Sequence, residues 1–172
     1  FNLDGEDSGS VEGQHLQIFA DSFAENDAGC LPTGRIVSLD SEEGAPFDFR
    51  EPTEIGKRLH EENIHLKNGS GYDHNYLLKK QPDGLCARAY SRSSGILLEC
   101  RTSEPGMQLY TGNFLSTSNI VGKGGKSYAD RAGFCLETQH YPNAMEHPEF
   151  PSVVLPAGEL YDTTTEYHIS LL

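Results

Sequence analysis

The chain has 172 residues, 36% hydrophobic and 23% charged, with 13 Lys and Arg against 26 Asp and Glu, for a formal net charge of -13. That length supports one domain with a real core. A field of that sign repels phosphate backbones and anionic membranes, so neither nucleic acid nor a membrane is an expected partner. The longest apolar stretches, such as Val153-Val154-Leu155, fall far short of the roughly 20 residues that cross a bilayer. Neutral or cationic small ligands stay open.

Taken in order, short apolar or alternating runs recur between turn residues, which is the pattern of an antiparallel β-protein. The expected strands are His15 to Ala20, Thr33 to Leu39, Asn75 to Leu78, Leu85 to Tyr90, Ile96 to Arg101, Met107 to Thr111, Phe134 to Thr138, Ser152 to Leu155 and Leu160 to Ser170. Their spacing predicts a β-sandwich spanning 1–172 as a single domain. Pro82-Asp83-Gly84, Ser93-Ser94-Gly95 and Pro156-Ala157-Gly158 read as hairpin signals. One short helix is expected at Thr53 to His60, where Ile55 and Leu59 stand four residues apart. Leu115 to Ala132, rich in Ser, Gly and Lys, is expected to be a surface loop. Within it Gly122-Lys123-Gly124-Gly125-Lys126-Ser127 ends like a phosphate-binding loop, but the first glycine of that motif would fall at Ile120.

The four cysteines, Cys30, Cys86, Cys100 and Cys135, stand far apart. Reduced, mostly buried thiols fit that spacing better than a disulfide scaffold, and they point to the cytoplasm. The sequon Asn68-Gly69-Ser70 competes weakly with that location. No histidine pair has the flanking pattern of a zinc site, so a metal site is not expected.

Chemistry concentrates at three places. Between Phe134 and Gln139, alternation sets Phe134 and Leu136 on one face and Cys135, Glu137 and Gln139 on the other. If Glu137 faces a pocket, partial desolvation would raise its pKa and make it a usable general base. In Gly71-Tyr72-Asp73-His74-Asn75 the carboxylate of Asp73 can accept from two hydroxyls, and its bland alternative is an Asx-turn feeding a strand. In Met107-Gln108-Leu109-Tyr110, Gln108 and Tyr110 share a face opposite Met107 and Leu109. An amide, a carboxylate and an aromatic ring on one concave face would form a sugar-binding inventory, while periodicity alone leaves an exposed sheet face open.

These three segments, with Pro32-Thr33-Gly34, Pro46 to Pro52 and Pro148-Glu149-Phe150-Pro151 in support, resemble the aldose 1-epimerase, or galactose mutarotase, family over nearly the whole chain. The resemblance implies a galactose mutarotase-like antiparallel β-sandwich, incomplete at its N-terminus. It also implies an isomerase that interconverts the α and β anomers of aldohexoses such as galactose and glucose without a cofactor. By the same resemblance Glu137 is the base at the C1 hydroxyl, and Asp73 and Gln108 bind substrate hydroxyls. The acid histidine of the family lies in a His-Ser/Thr-Tyr segment leading into Phe-Asn-Leu, which is Phe1-Asn2-Leu3 here, so a complementary N-terminal polypeptide is an expected partner. His74 and His140 have the wrong parity to replace it. A noncatalytic carbohydrate-binding module is the competing expectation.

Overall fold

The structure, a computed structural model, describes residues 1–118 and 121–172. Ten strands make two five-stranded antiparallel sheets. The first has the order β10 (Thr165–Leu171), β7 (Ile96–Thr102), β6 (Leu85–Tyr90), β1 (His15–Ile18) and β4 (Thr53–Glu54). The second has the order β3 (Pro32–Ser38), β2 (Ala20–Asn26), β5 (Asp73–Leu78), β8 (Gly106–Tyr110) and β9 (Cys135–Gln139). The expected sandwich is therefore present. Its core interleaves Leu16, Ile18, Ala87, Leu98 and Cys100 of the first sheet with Phe23, Tyr76, Met107, Leu109 and Leu136 of the second.

Phe19 switches the chain between sheets. Its N–H donates to the Cys86 carbonyl at 2.9 Å, and its carbonyl accepts from Lys79 N–H at 2.8 Å, so one residue pairs with both layers. The strand beginning at His15 does not stop there, because β2 continues to Asn26. Its pattern was obscured by Asp21 and Glu25, which point outward and pair with Lys79 and Arg35 while Phe23 and Ala24 are buried.

Five expectations are corrected. Thr53 to His60 is not a helix: Thr53 pairs with Leu16 in β4, Ile55 N–H is claimed by the Gln14 carbonyl at 2.9 Å, and only Ile55–Lys57 makes a 3-10 turn. Ile55 and Leu59 are still buried, so the four-residue spacing reported burial and not a helix. The α-helix is α1 (Ile64–Gly69), started by Asn63, whose side chain accepts from His65 and Leu66 N–H at 2.9 and 3.3 Å. Ser152 to Leu155 forms no strand, since Val153, Val154 and Leu155 are exposed with no ladder partner among the described residues. The last strand is confined to Thr165–Leu171, which leaves Pro156-Ala157-Gly158 outside any hairpin. Of the two remaining turn signals, Ser93-Ser94-Gly95 does join the paired strands β6 and β7, whereas Pro82-Asp83-Gly84 connects strands of different sheets.

Most of the expected Leu115 to Ala132 loop is irregular, with 3-10 turns at Leu115–Ser118 and Lys123–Gly125. Ile120, where the phosphate-loop comparison failed, lies outside the described residues. The sheet edges differ in cover. Strand β10 is exposed on both faces over nearly its whole length, with Tyr167, Ile169 and Leu171 at 44%, 62% and 76% exposure. Phe1 lies against it, its ring 5.1 Å from that of Tyr167.

Candidate active site

The site lies on the outer face of the second sheet, where antiparallel register sets side chains directly opposite one another. Asp73 stands across from Tyr110 and Asn75 from Gln108 on β5 and β8. Gln108 in turn stands across from Glu137, and Tyr110 from Cys135, on β8 and β9. The three residues singled out in the sequence therefore sit on three adjacent strands of one face. Phe134 and Leu136 are buried behind them, as the alternation required.

The approach to Asp73 depends on two sequence motifs meeting. Helix α1 ends at Ser70 in the left-handed region (φ 53), followed by Gly71 at φ 136. A Cβ on Gly71 would stand 2.5 Å from Asn113 Oδ1, so only glycine fits. Asn113 occupies that space to donate to the carbonyls of Gly69 and Tyr72 at 2.8 and 3.0 Å, and Thr111 Oγ1 donates to its Oδ1 at 2.7 Å. Thus Thr111-Gly112-Asn113, just past β8, fixes the turn that delivers Asp73. From the other side Asn26, buried on β2, donates to the Asp73 carbonyl at 2.8 Å.

Gln108 Nε2 donates to Asp73 Oδ1 at 2.7 Å, which orients the amide oxygen toward Gln139. Burial raises the Asp73 pKa, the Gln108 hydrogen bond opposes that shift, and the negative charge of Glu137 adds to it. The desolvated carboxyl of this site is accordingly Asp73, while the Glu137 side chain is exposed on the edge strand. Burial likewise pushes Tyr110 upward; its hydroxyl accepts from Phe114 N–H at 3.3 Å.

A cleft of about 380 Å³ opens over this face. Asp73, Gln108, Tyr110 and Glu137 form its floor, and Asn26, Cys30, Pro32, Phe114, Gln139 and Pro142 complete its lining. That volume lies within the roughly 300–1,000 Å³ of small-ligand pockets. None of these lining residues is Lys, Arg or His. Among the described residues no group of three or more His, Cys, Asp or Glu side chains is arranged to hold a metal ion.

Sequence reasoning overlooked Asn26, Cys30 and Phe114, which come from β2, its following turn and the stretch after β8. Nothing local marks them, whereas Gln139 could have been found from the face it shares with Glu137. His74 and His140, the two histidines weighed as substitutes for the acid, lie outside the cleft. His74 is fully buried, 4.7 Å from the Phe47 ring, and burial together with His65 pushes its pKa down to about 3. His140 turns instead toward Glu104, with Nδ1 2.8 Å from Oε2. The supporting segments also meet: His147 Nε2 lies 2.9 Å from the Pro32 carbonyl, and a Cβ on Gly34 would collide with His147 and Glu149. That contact brings Pro32 and Pro142 together as one wall of the cleft.

All four cysteines are free; Cys86 and Cys100 are buried, and Cys30 and Cys135 half-buried. No helix of the described residues is long and apolar enough to cross a membrane.

A family model described as aldose 1-epimerase matches residues 1–168. The galactose mutarotase of Bos taurus is 42% identical over 172 residues, covering 99% of this chain and 48% of its own length. The aldose 1-epimerase of Escherichia coli K12 is 37% identical over 171 residues, covering 97% of this chain and 47% of its own. Among solved structures, an aldose epimerase homologue from C. elegans superposes with a TM-score of 0.83 at 30% identity, over 99% of this chain and 49% of that one. The galactose 1-epimerase of Lactobacillus acidophilus shares the fold, with a TM-score of 0.71 at 22% identity over 99% of this chain and 46% of that one. The chain spans about half the length of the curated relatives it matches. Its sequence and its two-sheet fold agree on one conclusion: the chain belongs to the aldose 1-epimerase family.

Proposed function

We propose that this chain carries the base and the hydroxyl-binding side of a mutarotase site acting on aldohexoses such as galactose and glucose. The observation that supports it best is the alignment of Asp73, Gln108 and Glu137 across three strands beneath one cleft. Glu137 takes the proton from the C1 hydroxyl, the electron pair closes onto C1 as a carbonyl, and the bond from C1 to the ring oxygen breaks. The ring oxygen receives a proton from an acid, the aldehyde rotates, and the reverse steps close the ring as the other anomer. Asp73 and Gln108 hold substrate hydroxyls through directional hydrogen bonds. A lining with two carboxylates and no Lys or Arg favours a neutral sugar over a phosphorylated one.

The acid in this reading is a histidine of the region corresponding to the first half of the relatives. Two features support it. Among the described residues no histidine lines the cleft. Phe1 and Phe134 exchange both backbone hydrogen bonds, so a segment continuing ahead of Phe1 in that antiparallel register brings its third residue opposite Glu137. Base and acid then serve two oxygens bonded to the same carbon. The exposed apolar side of β10 with Phe1 gives that region a surface to cover. The free thiols favour a cytoplasmic setting.

The test is polarimetry with α-D-galactose. The 172-residue chain alone should leave mutarotation at its spontaneous rate, and adding the complementary half should accelerate it. Full activity from the chain alone would overturn the assignment of the acid. The second reading, a noncatalytic sugar-binding module, is motivated by the same histidine-free lining. Galactose binding by the assembled protein with no acceleration at all would establish it instead.

A further inference from the structure

Glu104 is a buried carboxylate at the opposite end of β8 from Asp73, and the proposed chemistry does not use it. Its side chain is only 6% exposed. Oε1 accepts from Thr163 Oγ1 at 2.6 Å and from Tyr161 hydroxyl at 3.1 Å. Oε2 lies 2.8 Å from His140 Nδ1, close enough for an ion pair yet without a well-aligned hydrogen bond to any group. A carboxylate that has left water is normally retained only where such partners replace the water.

These partners come from two segments distant in sequence, the residue after β9 and the approach to β10. His140 directly follows Gln139, the last residue of β9, an edge strand paired only with β8 among the described residues. Gln139 stands opposite Gly106, two residues past Glu104, and its amide reaches Asn75 at 3.3 Å. Tyr161 and Thr163 belong to the exposed stretch before β10, which is further tied down by Thr164 N–H donating to Ser103 Oγ at 3.0 Å. One carboxylate thus joins the turn before β8, the end of β9 and the approach to β10.

We propose that Glu104 and His140 are positioning residues for the cleft, locking the end of β9 to the turn before β8 and so fixing Gln139 and Glu137 over Gln108. The inference rests on the sugar-site reading only for its consequence, since misplacement of a base by about 1 Å costs on the order of a hundredfold in rate.

Amide exchange on the full chain tests it without any sugar, using Glu104→Gln, His140→Ala and His140→Asn, the last carrying an amide nitrogen near the position of Nδ1. Glu104→Gln and His140→Ala should each speed exchange in β9 and around Thr164 by about tenfold, with β1 and β6 unchanged, and His140→Asn should restore the β9 protection. Unchanged exchange in β9, or acceleration spread evenly over both sheets, would overturn the proposal. Galactose calorimetry is the second readout, and Glu104→Gln should weaken binding several-fold while Lys80→Ala leaves it alone. If the unsubstituted protein takes no galactose, the sugar reading fails while the exchange pattern still decides the role of Glu104.

Discussion

Asp73 and Glu104 stand at opposite ends of the same strand pair, both partly or fully withdrawn from water, and the protein treats them in opposite ways. Burial raises the pKa of Asp73, and only one side-chain donor, Gln108, opposes the shift. Burial also acts to raise Glu104, but Thr163, Tyr161 and the charge of His140 together hold it below the usual carboxylate range. Burial of an acid is therefore not what marks a site. Glu104 has two donors on one oxygen and His140 beside the other, although it too borders a cavity, of about 420 Å³; Asp73 has Gln108 as its one side-chain donor and faces the cleft of about 380 Å³. The unfilled carboxyl is the one a ligand can satisfy.

The largest effect that separates the two ends should come from Glu137, the exposed companion of Asp73. In the assembled protein Glu137→Gln should lower the mutarotation rate by about 10²–10⁴-fold in polarimetry while calorimetric galactose binding persists. Loss of binding together with rate would make Glu137 a ligand-holding group and not the base. Next comes Glu104→Gln, which should cost about 1–3 kcal/mol by urea denaturation, because it removes the charge that answers His140 and turns one oxygen into a donor. A change within about 0.3 kcal/mol would mean the junction is dispensable.

The acid side of the stability curve sharpens the contrast further. Glu104, depressed in the fold, contributes stability that is present above the ordinary carboxylate pKa and lost as pH falls through its lowered value. Asp73, raised in the fold, works the other way and contributes stability only as pH falls through its raised value. Denaturation midpoints measured in steps below neutrality should therefore show a shallower acid loss in Glu104→Gln and a steeper one in Asp73→Asn. His74, held neutral down to about 3, adds a loss of its own that starts near the unperturbed histidine value of about 6.5. The smallest effect is expected from Asp73→Asn at neutral pH. Relief of its repulsion with Glu137 should keep stability within about 0.5 kcal/mol of the unsubstituted chain, or raise it, while galactose affinity drops.

Much of this was legible because period-2 alternation is a local property. Phe134 and Leu136 inward with Glu137 outward, and Met107 and Leu109 inward with Gln108 outward, follow from the spacing of apolar residues alone. The same rule failed at the second strand, where Asp21 and Glu25 hid the inward Phe23. At Ser152 to Leu155 it failed for the opposite reason, since a β-prone run has no ladder partner among the described residues. Thr53 to His60 carried helical spacing, but backbone hydrogen bonds to the first strand claimed the segment. Local preference is worth less than a ladder supplied by distant residues.

The sequence by itself determined the two-sheet class, the family through three spaced motifs, and the face on which Asp73, Gln108 and Glu137 lie, because composition, order and alternation are written along the chain. Only the tertiary structure decided that these three stand side by side, that Asn26 and Phe114 join them, that Asp73 and not Glu137 is the desolvated carboxyl, and that His140 serves Glu104. Cross-strand register, burial and electrostatic neighbourhood arise between residues far apart in sequence, and no local period encodes which of them will meet.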